Sequence, residues 1–268
     1  MQERNFSGKV ILITGAAGGL GSALCRRYAQ AGARIAAMDL DQTKLDSLVA
    51  ALPKDTLAIA GNIADPAVCQ MAVAQTVAHF GALDGLVNNA GISHRSLLTD
   101  TDPAVIRRVM EVNFFGAMQL THAALPQLIA SRGMVAAISS VAGYAPLVGR
   151  TGYCASKHAL HGFFDTLRTE VDDLGVQVTL ICPSFIATGI GGAAVGGTGA
   201  SATSPRITTG GESDPADIAA LIFSAIAQGK SLLLPDRTSG LAWWVSKLAP
   251  GFYARTMKRR VSAEFQKN

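Results

Sequence analysis

The stretch KVILITGAAGGLGSALCRRYAQAGARIAAMD, residues 9–39, decides the fold. It opens on a short apolar run at 9–14, breaks at glycine, continues into a helix-period segment and closes on a second apolar run at 33–39 that ends in Asp39. Strand, glycine turn, helix and strand in about thirty residues make one β-α-β unit, whose strands run parallel. The same alternation continues outward. Further short apolar runs lie at 56–60, 84–89, 133–140, 176–182 and 231–235, with helix-period segments filling most of the gaps. Strands covered on both faces read as continuous apolar runs, so the expected class is α/β: a doubly wound sheet of about seven parallel strands with helices on both faces.

No internal repeat and no Pro/Ser linker interrupts this rhythm. One domain is therefore expected over 1–235, with 236–268 as a C-terminal helical arm rather than a second domain. A chain of 268 residues, 49% apolar and 16% charged, buries a sizeable core and is not a disordered protein. Net charge is +4, but the basic residues are scattered except near the end, so no nucleic-acid partner is expected. Cys25, Cys69, Cys154 and Cys182 are far apart and form no CxxC, which reads as reduced core thiols. The polar lead MQERN carries no apolar leader, and the expectation is a cytoplasmic protein. No uninterrupted apolar run approaches the roughly 18 residues that span a bilayer.

Two segments stand apart. Residues 188–213 are rich in glycine, serine and threonine and lack periodicity; loops this long inside a domain are uncommon, and this one follows the sixth strand, where open α/β sheets bind ligands. A substrate lid is expected there. The arm mixes Trp243, Trp244, Leu248, Phe252 and Tyr253 with Lys247, Arg255, Lys258, Arg259 and Arg260, and Pro250 and Gly251 split it into two short helices. Packing on its own subunit or a neighbour is favoured over attachment to a membrane surface.

In the opening stretch, Gly15, Gly19 and Gly21 occupy the turn and the first helical residues. Missing side chains let the backbone approach a pyrophosphate, whose charge is met by helix N-terminal amides. Asp39 follows at about the distance where a carboxylate meets the ribose hydroxyls of an adenine dinucleotide. A 2′-phosphate would add about −1.5 to −2 charges beside that carboxylate, and neither 15–21 nor 40–43 supplies a lysine or arginine. NAD is favoured over NADP.

Farther on, Tyr153 and Lys157 stand four apart at the start of an apolar-faced helix. An ammonium about 5 Å from a phenol, at an effective dielectric of 20, contributes around 3 kcal/mol, or a little over two pKa units. That brings a tyrosine near working pH, as proton transfer to the alkoxide left by a hydride requires. Together TGAAGGLG (14–21), NNAG (88–91), Asn113 in EVNFFG, ISS (138–140) and YCASK (153–157) resemble the short-chain dehydrogenase/reductase family over roughly 8–235, in its order and spacing. Ser140, thirteen residues before Tyr153, matches that spacing where Ser139 does not.

The resemblance implies a Rossmann-like sheet and NAD(P)-linked interconversion of an alcohol and a carbonyl. It implies Asn113, Ser140, Tyr153 and Lys157 as catalytic residues: Tyr153 as acid and base, Ser140 on the substrate oxygen, Lys157 also on the nicotinamide ribose, and Asn113 in a water relay to the lysine. Cofactor contacts are expected from Gly15, Gly19, Leu20, Gly21, Asp39, Leu40, Asn62, Ile63, Asn89, Ala90, Gly91, Tyr153, Lys157, Pro183, Ile186 and Thr188. This sequence departs from the family pattern at Ser184, where a glycine is usual, and at Asn62, where an aspartate is. A homodimer or homotetramer is implied, through the helices carrying Asn113 and Tyr153.

His158 and His161 have no third ligand at metal spacing, and no metal site is expected. His94 and Arg95, after the fourth strand, have two readings, a border of the substrate cavity and an exposed loop pair, of which the second is favoured; Cys154, Ala155 and Ser156 read as packing. The small, apolar segments after Thr188 and between Ser140 and Tyr153 suggest a secondary alcohol or ketone with a hydrophobic body. The rival readings are an NADP-linked carbonyl reductase and a non-catalytic NAD-binding sensor or scaffold.

Overall fold

A computed structural model of the protein describes residues 3–188, 194–203, 208, 211–261 and 265. All seven expected strands form: β1 (Val10–Thr14), β2 (Arg34–Asp39), β3 (Leu57–Ala60), β4 (Gly85–Asn88), β5 (Met134–Ile138), β6 (Gln177–Ile181) and β7 (Leu232–Leu233). They build one parallel sheet in the order β3-β2-β1-β4-β5-β6-β7.

The helices are α1 (Gly19–Gln30), α2 (Gln42–Ala50), α3 (Pro66–Phe80), α4 (Pro103–Met110), α5 (Gly116–Ala130), α6 (Thr151–Val171), α7 (Pro215–Ala227), α8 (Arg237–Leu248) and α9 (Pro250–Val261). Alternation along β1 shows how the sheet feeds two cores. Val10 and Leu12 join Leu120 and Phe164 from α5 and α6 on one face, while Ile11 and Ile13 join Leu24 and Ile222 from α1 and α7 on the other. Helix starts are marked by aspartate: the side chains of Asp41, Asp65, Asp102, Asp214 and Asp236 accept a backbone N–H at the heads of α2, α3, α4, α7 and α8.

The chain leaves β1 for β2 on one side, and the next stretch of sheet grows from β4 on the other. That reversal opens a crevice at the carboxyl ends of β1 and β4. The arm folds as α8 and α9, joined at Ala249 and Pro250, and packs back on its own chain: Ala242 and Tyr253 form a small core with Val141 and Ala145. Of the expected lid, residues 189–193, 204–207 and 209–210 lie outside the described residues. Its described parts are tied down by bridges from Val195 to His94 and to Ser201, and from Ser213 to Ile186. Among the described residues, no helix is long and apolar enough to cross a membrane.

Candidate active site

The crevice begins at the glycine turn. Gly15 has φ +61°, and a Cβ there would stand 2.9 Å from Ala90 Cα; a Cβ on Gly21 would meet the Gly15 carbonyl. The exits of β1 and β4 are thus drawn together, leaving backbone where side chains would otherwise stand. α1 starts at Gly18 with no side-chain cap, unlike the aspartate-capped helices. Its first-turn amides line the cavity instead, as a pyrophosphate requires.

Neighbouring groups hold this turn rigid. Asn89 Nδ2 donates to the carbonyls of Thr14 and Gly15 at 2.9 and 3.1 Å, and Thr14 Oγ1 accepts from the backbone N–H groups of Asn89 and Ala90 at 3.0 Å each. Asp39 stands at the end of β2, its carboxylate accepting from Ala17 N at 2.9 Å and from Asp41 N at 3.1 Å. Leu40, Asn62, Ile63 and Gly91 line the same end; Asn62 Oδ1 accepts from Ala64 N at 3.0 Å in a local turn. Lys44, one residue beyond 40–43, also lines it, and its ammonium lies 2.7 Å from the Asp41 carboxylate.

The helix that carries Asn113 is interrupted by a π-helical turn at Glu111–Phe115. Asn113 is buried there; its Oδ1 accepts from Ile92 N at 2.8 Å and its Nδ2 donates to Ile92 O and to Ser156 Oγ, both at 3.0 Å. Ser156 Oγ in turn donates to Tyr153 O at 2.8 Å. Ser156 is therefore not packing, as its sequence context suggested, but a hydroxyl that ties the tyrosine's helix to the asparagine's.

Lys157 is 5% exposed, with Nζ donating to Ile138 O at 2.8 Å and 5.7 Å from the Tyr153 ring centre. Burial pulls its pKa down to about 8, while the Cys182 thiol nearby acts the other way. An ammonium this close to the ring favours the charged form of the phenol. Gly91 leaves room for this group: a Cβ there would lie 3.2 Å from Asn113 Oδ1 and 3.7 Å from Lys157 Nζ. Ser140, at the carboxyl end of β5, is 8% exposed, lines the cavity, and accepts from Ala142 N at 3.2 Å.

Pro183, Ile186 and Thr188 line the cavity after β6. Ser184, the departure from the family pattern, donates its N–H to Asp236 Oδ2 at 3.0 Å, and the same carboxylate caps α8 through Ser239 N at 2.8 Å. The arm is thereby fastened to the loop expected to hold the nicotinamide. Leu241, Val245, Phe252, Met257 and Val261 of α8 and α9 then wall the outer part of a cavity of about 1390 Å³, with Val141, Leu147 and Phe185. That exceeds the range of about 300–1,000 Å³ usual for one small ligand and leaves space for a dinucleotide and a second molecule.

All the expected site residues line this cavity except Asn113, which sits behind Gly91 and Ile92. His94 and Arg95 overturn their expectation: they are 0% and 7% exposed, and Arg95 lines the cavity. His158 Nδ1 bonds Cys154 O at 2.9 Å and His161 stacks on Trp243. Arg95 thus meets the less favoured of its two readings, and missed in the sequence were Ser156, Arg150 and Asp236. Of these only Asp236 had a local signal, an aspartate ahead of a helical run with Ser239 three residues on.

Residues 9–195 match the family described as short chain dehydrogenase. Among curated proteins, the chain is 37% identical over 266 residues to the Dehydrogenase/reductase SDR family member 7B of Bos taurus, covering 95% of this chain and 82% of that one. It is 36% identical over 190 residues to the 11-beta-hydroxysteroid dehydrogenase-like 2 of Arabidopsis thaliana, covering 69% and 61%. A short-chain dehydrogenase from Streptomyces avermitilis superposes with TM-score 0.82 at 29% identity, over 97% and 99% of the two chains. A Burkholderia phymatum short chain dehydrogenase/reductase crystallised with NAD shares the fold, with TM-score 0.83 at 23% identity over 93% and 96%. With a parallel seven-stranded sheet, a glycine turn at its switch point and a match over most of its length, the chain belongs to the short-chain dehydrogenase family of oxidoreductases.

Proposed function

We propose that the protein interconverts a secondary alcohol and a ketone on a hydrophobic small molecule, with NAD as cofactor and Tyr153 as general acid and base. The observation that carries this reading is the buried Lys157 ammonium 5.7 Å from the Tyr153 ring, inside a cavity that also holds the glycine turn. When bound, the nicotinamide supplies or accepts the hydride. In the reducing direction Tyr153 gives its hydroxyl proton to the oxygen that becomes the alcohol, and Lys157 stabilises the phenolate left behind. Ser140 donates a hydrogen bond to the same oxygen. Asn113 and Ser156 hold the head of α6 against the loop at Ile92, which keeps Tyr153 aimed.

NAD is supported over NADP by the Asp39 carboxylate at the end of β2, beside which a 2′-phosphate would have to stand. The free, mostly buried cysteines fit a reducing compartment such as the cytoplasm. We assign a homodimer or homotetramer contact to the outer faces of the helices carrying Asn113 and Tyr153, where Phe115 is 36% exposed.

Replacement of Tyr153 by Phe is the direct test. NADH binding, followed by calorimetry, is expected to stay within about threefold while turnover falls at least about 100-fold, the lower end of what a positioned proton donor contributes. Retained turnover would remove Tyr153 from its role. A wild-type protein that binds NADH but turns over nothing in a broad alcohol and ketone panel would instead mark a cofactor-binding sensor.

A further inference from the structure

The arm packs on its own chain by one face only. Tyr144 Oη donates to Ser239 O at 2.7 Å, the Tyr144 ring meets Trp243 edge-on at 4.8 Å, and Ala242 is buried in the small core under α8. These contacts fix which side of α8 faces inward. The other side stays out: Leu241, Trp244 and Leu248, spaced three and four apart, are 68%, 63% and 78% exposed. Phe252, in the first turn of α9, is 60% exposed. Single exposed apolar side chains are ordinary, but four within twelve residues of chain make a patch.

Charge is concentrated in the same place. Residues 237–261 hold Arg237, Lys247, Arg255, Lys258, Arg259 and Arg260, all exposed, and no Asp or Glu. Their +6 exceeds the +4 of the whole chain, so the rest of the molecule is net acidic. A second copy is a poor occupant for this face, because a twofold contact sets the patch against itself and its like charges together. An apolar strip with an exposed tryptophan, bordered by cations and backed by an acidic body, fits an anionic lipid surface instead. At 12 residues each, α8 and α9 are too short to cross a bilayer, which takes about 20, and would lie in its plane. The patch is also the rim of the cavity: Leu241, Phe252 and Arg260 line it while remaining exposed.

We propose that the outer face of α8 and α9 docks on an anionic membrane surface, and that the substrate is a lipid-dissolved molecule that enters the cavity from the bilayer past Leu241 and Phe252. The docking stands on the patch itself, whereas the substrate class rests on the reading of the site as a dehydrogenase site.

Cosedimentation of the full chain with vesicles of phosphatidylcholine, alone or mixed with phosphatidylserine, tests the docking without turnover. Binding is expected to be about tenfold or more tighter to the anionic vesicles and to weaken severalfold as salt rises to physiological strength. Trp244→Ser with Leu248→Ser, and separately Arg255→Gln with Lys258→Gln, are each expected to weaken it about fivefold or more. These four side chains lie outside the cavity lining, so NADH affinity and turnover of a short, water-soluble ketone are expected to stay within about twofold, which also reports that the variants fold. Lys54→Gln with Lys230→Gln removes two exposed cations at the amino ends of β3 and β7, away from the crevice, and is expected to leave vesicle binding unchanged. A ketone too apolar to leave the bilayer, offered in anionic vesicles, is expected to be reduced severalfold faster by the wild type than by the Trp244/Leu248 variant.

Equal binding to both vesicle types, failure to sediment with either, or an equal loss in the Lys54/Lys230 pair would overturn the docking. A drop in oligomeric mass of the Trp244/Leu248 variant with vesicle binding unchanged would overturn it too, and assign the face to a second copy. Equal turnover of the vesicle-held ketone by wild type and variant would overturn the route of entry. A protein that docks as expected but turns over no ketone or alcohol would overturn the dehydrogenase reading alone.

Discussion

Lys157 has to be charged where burial opposes charge. With its pKa near 8, roughly nine in ten of these groups carry a proton at pH 7, but the fraction falls quickly above pH 8. The reduction rate at saturating NADH is therefore expected to drop as pH rises through about 8, and Lys157→Arg, which stays charged, to move that limb upward where it retains activity. A flat profile between pH 7 and 9.5 would contradict the link. Stability runs the other way. The folded pKa lies below the ordinary 10.5, so the unfolded chain binds the proton more readily, and stability rises with pH between about 8 and 10.5. Lys157→Met is expected to raise the midpoint of thermal unfolding at pH 7, with the gain shrinking toward pH 10. Spacing alone made the Tyr153–Lys157 encounter legible in the sequence. The burial that sets the lysine's proton affinity is not written in that spacing: Ile138, whose carbonyl accepts from its ammonium, and Gly91, beside it, are distant in the chain. Ser156 was illegible for the same reason, since its partner Asn113 is forty-three residues away.

At the scale of elements, strands were legible because β1, β4 and β5 are buried along their whole length and read as unbroken apolar runs. Their ends were less so. β7 shrinks to Leu232–Leu233, a half-buried edge pair that bonds β6 alone. The arm was legible as two helices through Pro250, but its place over the cavity depends on Asp236, which binds Ser184 N and Ser239 N at once. Asp236→Ala removes both contacts and is expected to destabilise the protein by about 1–2 kcal/mol, the range for loss of a helix cap. Because it loosens the apolar wall and leaves Tyr153 and Lys157 in place, KM for long apolar substrates should rise several-fold while kcat changes less. Steady-state kinetics on short and long homologues of one ketone would check this, and equal effects on both would count against it.

At the scale of the whole molecule, the class was legible in the alternation of short apolar runs with helix-period segments along the chain, whereas the order of the strands, and with it the place where the sheet reverses, is a matter of pairing that no local pattern encodes. Nor do such patterns encode the position of the side chains that come to line a shared cavity. The uncapped head of α1 makes one global property conditional. Every aspartate cap is covalently part of the chain and always present; at Gly18 the helix has no such partner of its own. A bound dinucleotide would satisfy those amides from outside, acting as a cap supplied by solution, and the stability of the fold then grows with the logarithm of cofactor concentration. Amide hydrogen exchange is expected to slow at Gly19, Leu20 and Gly21 on adding NADH, and to remain unchanged at the aspartate-capped head of α7. The chemistry expected to recruit the coenzyme would then tie the protein's resistance to unfolding to the size of the nicotinamide pool.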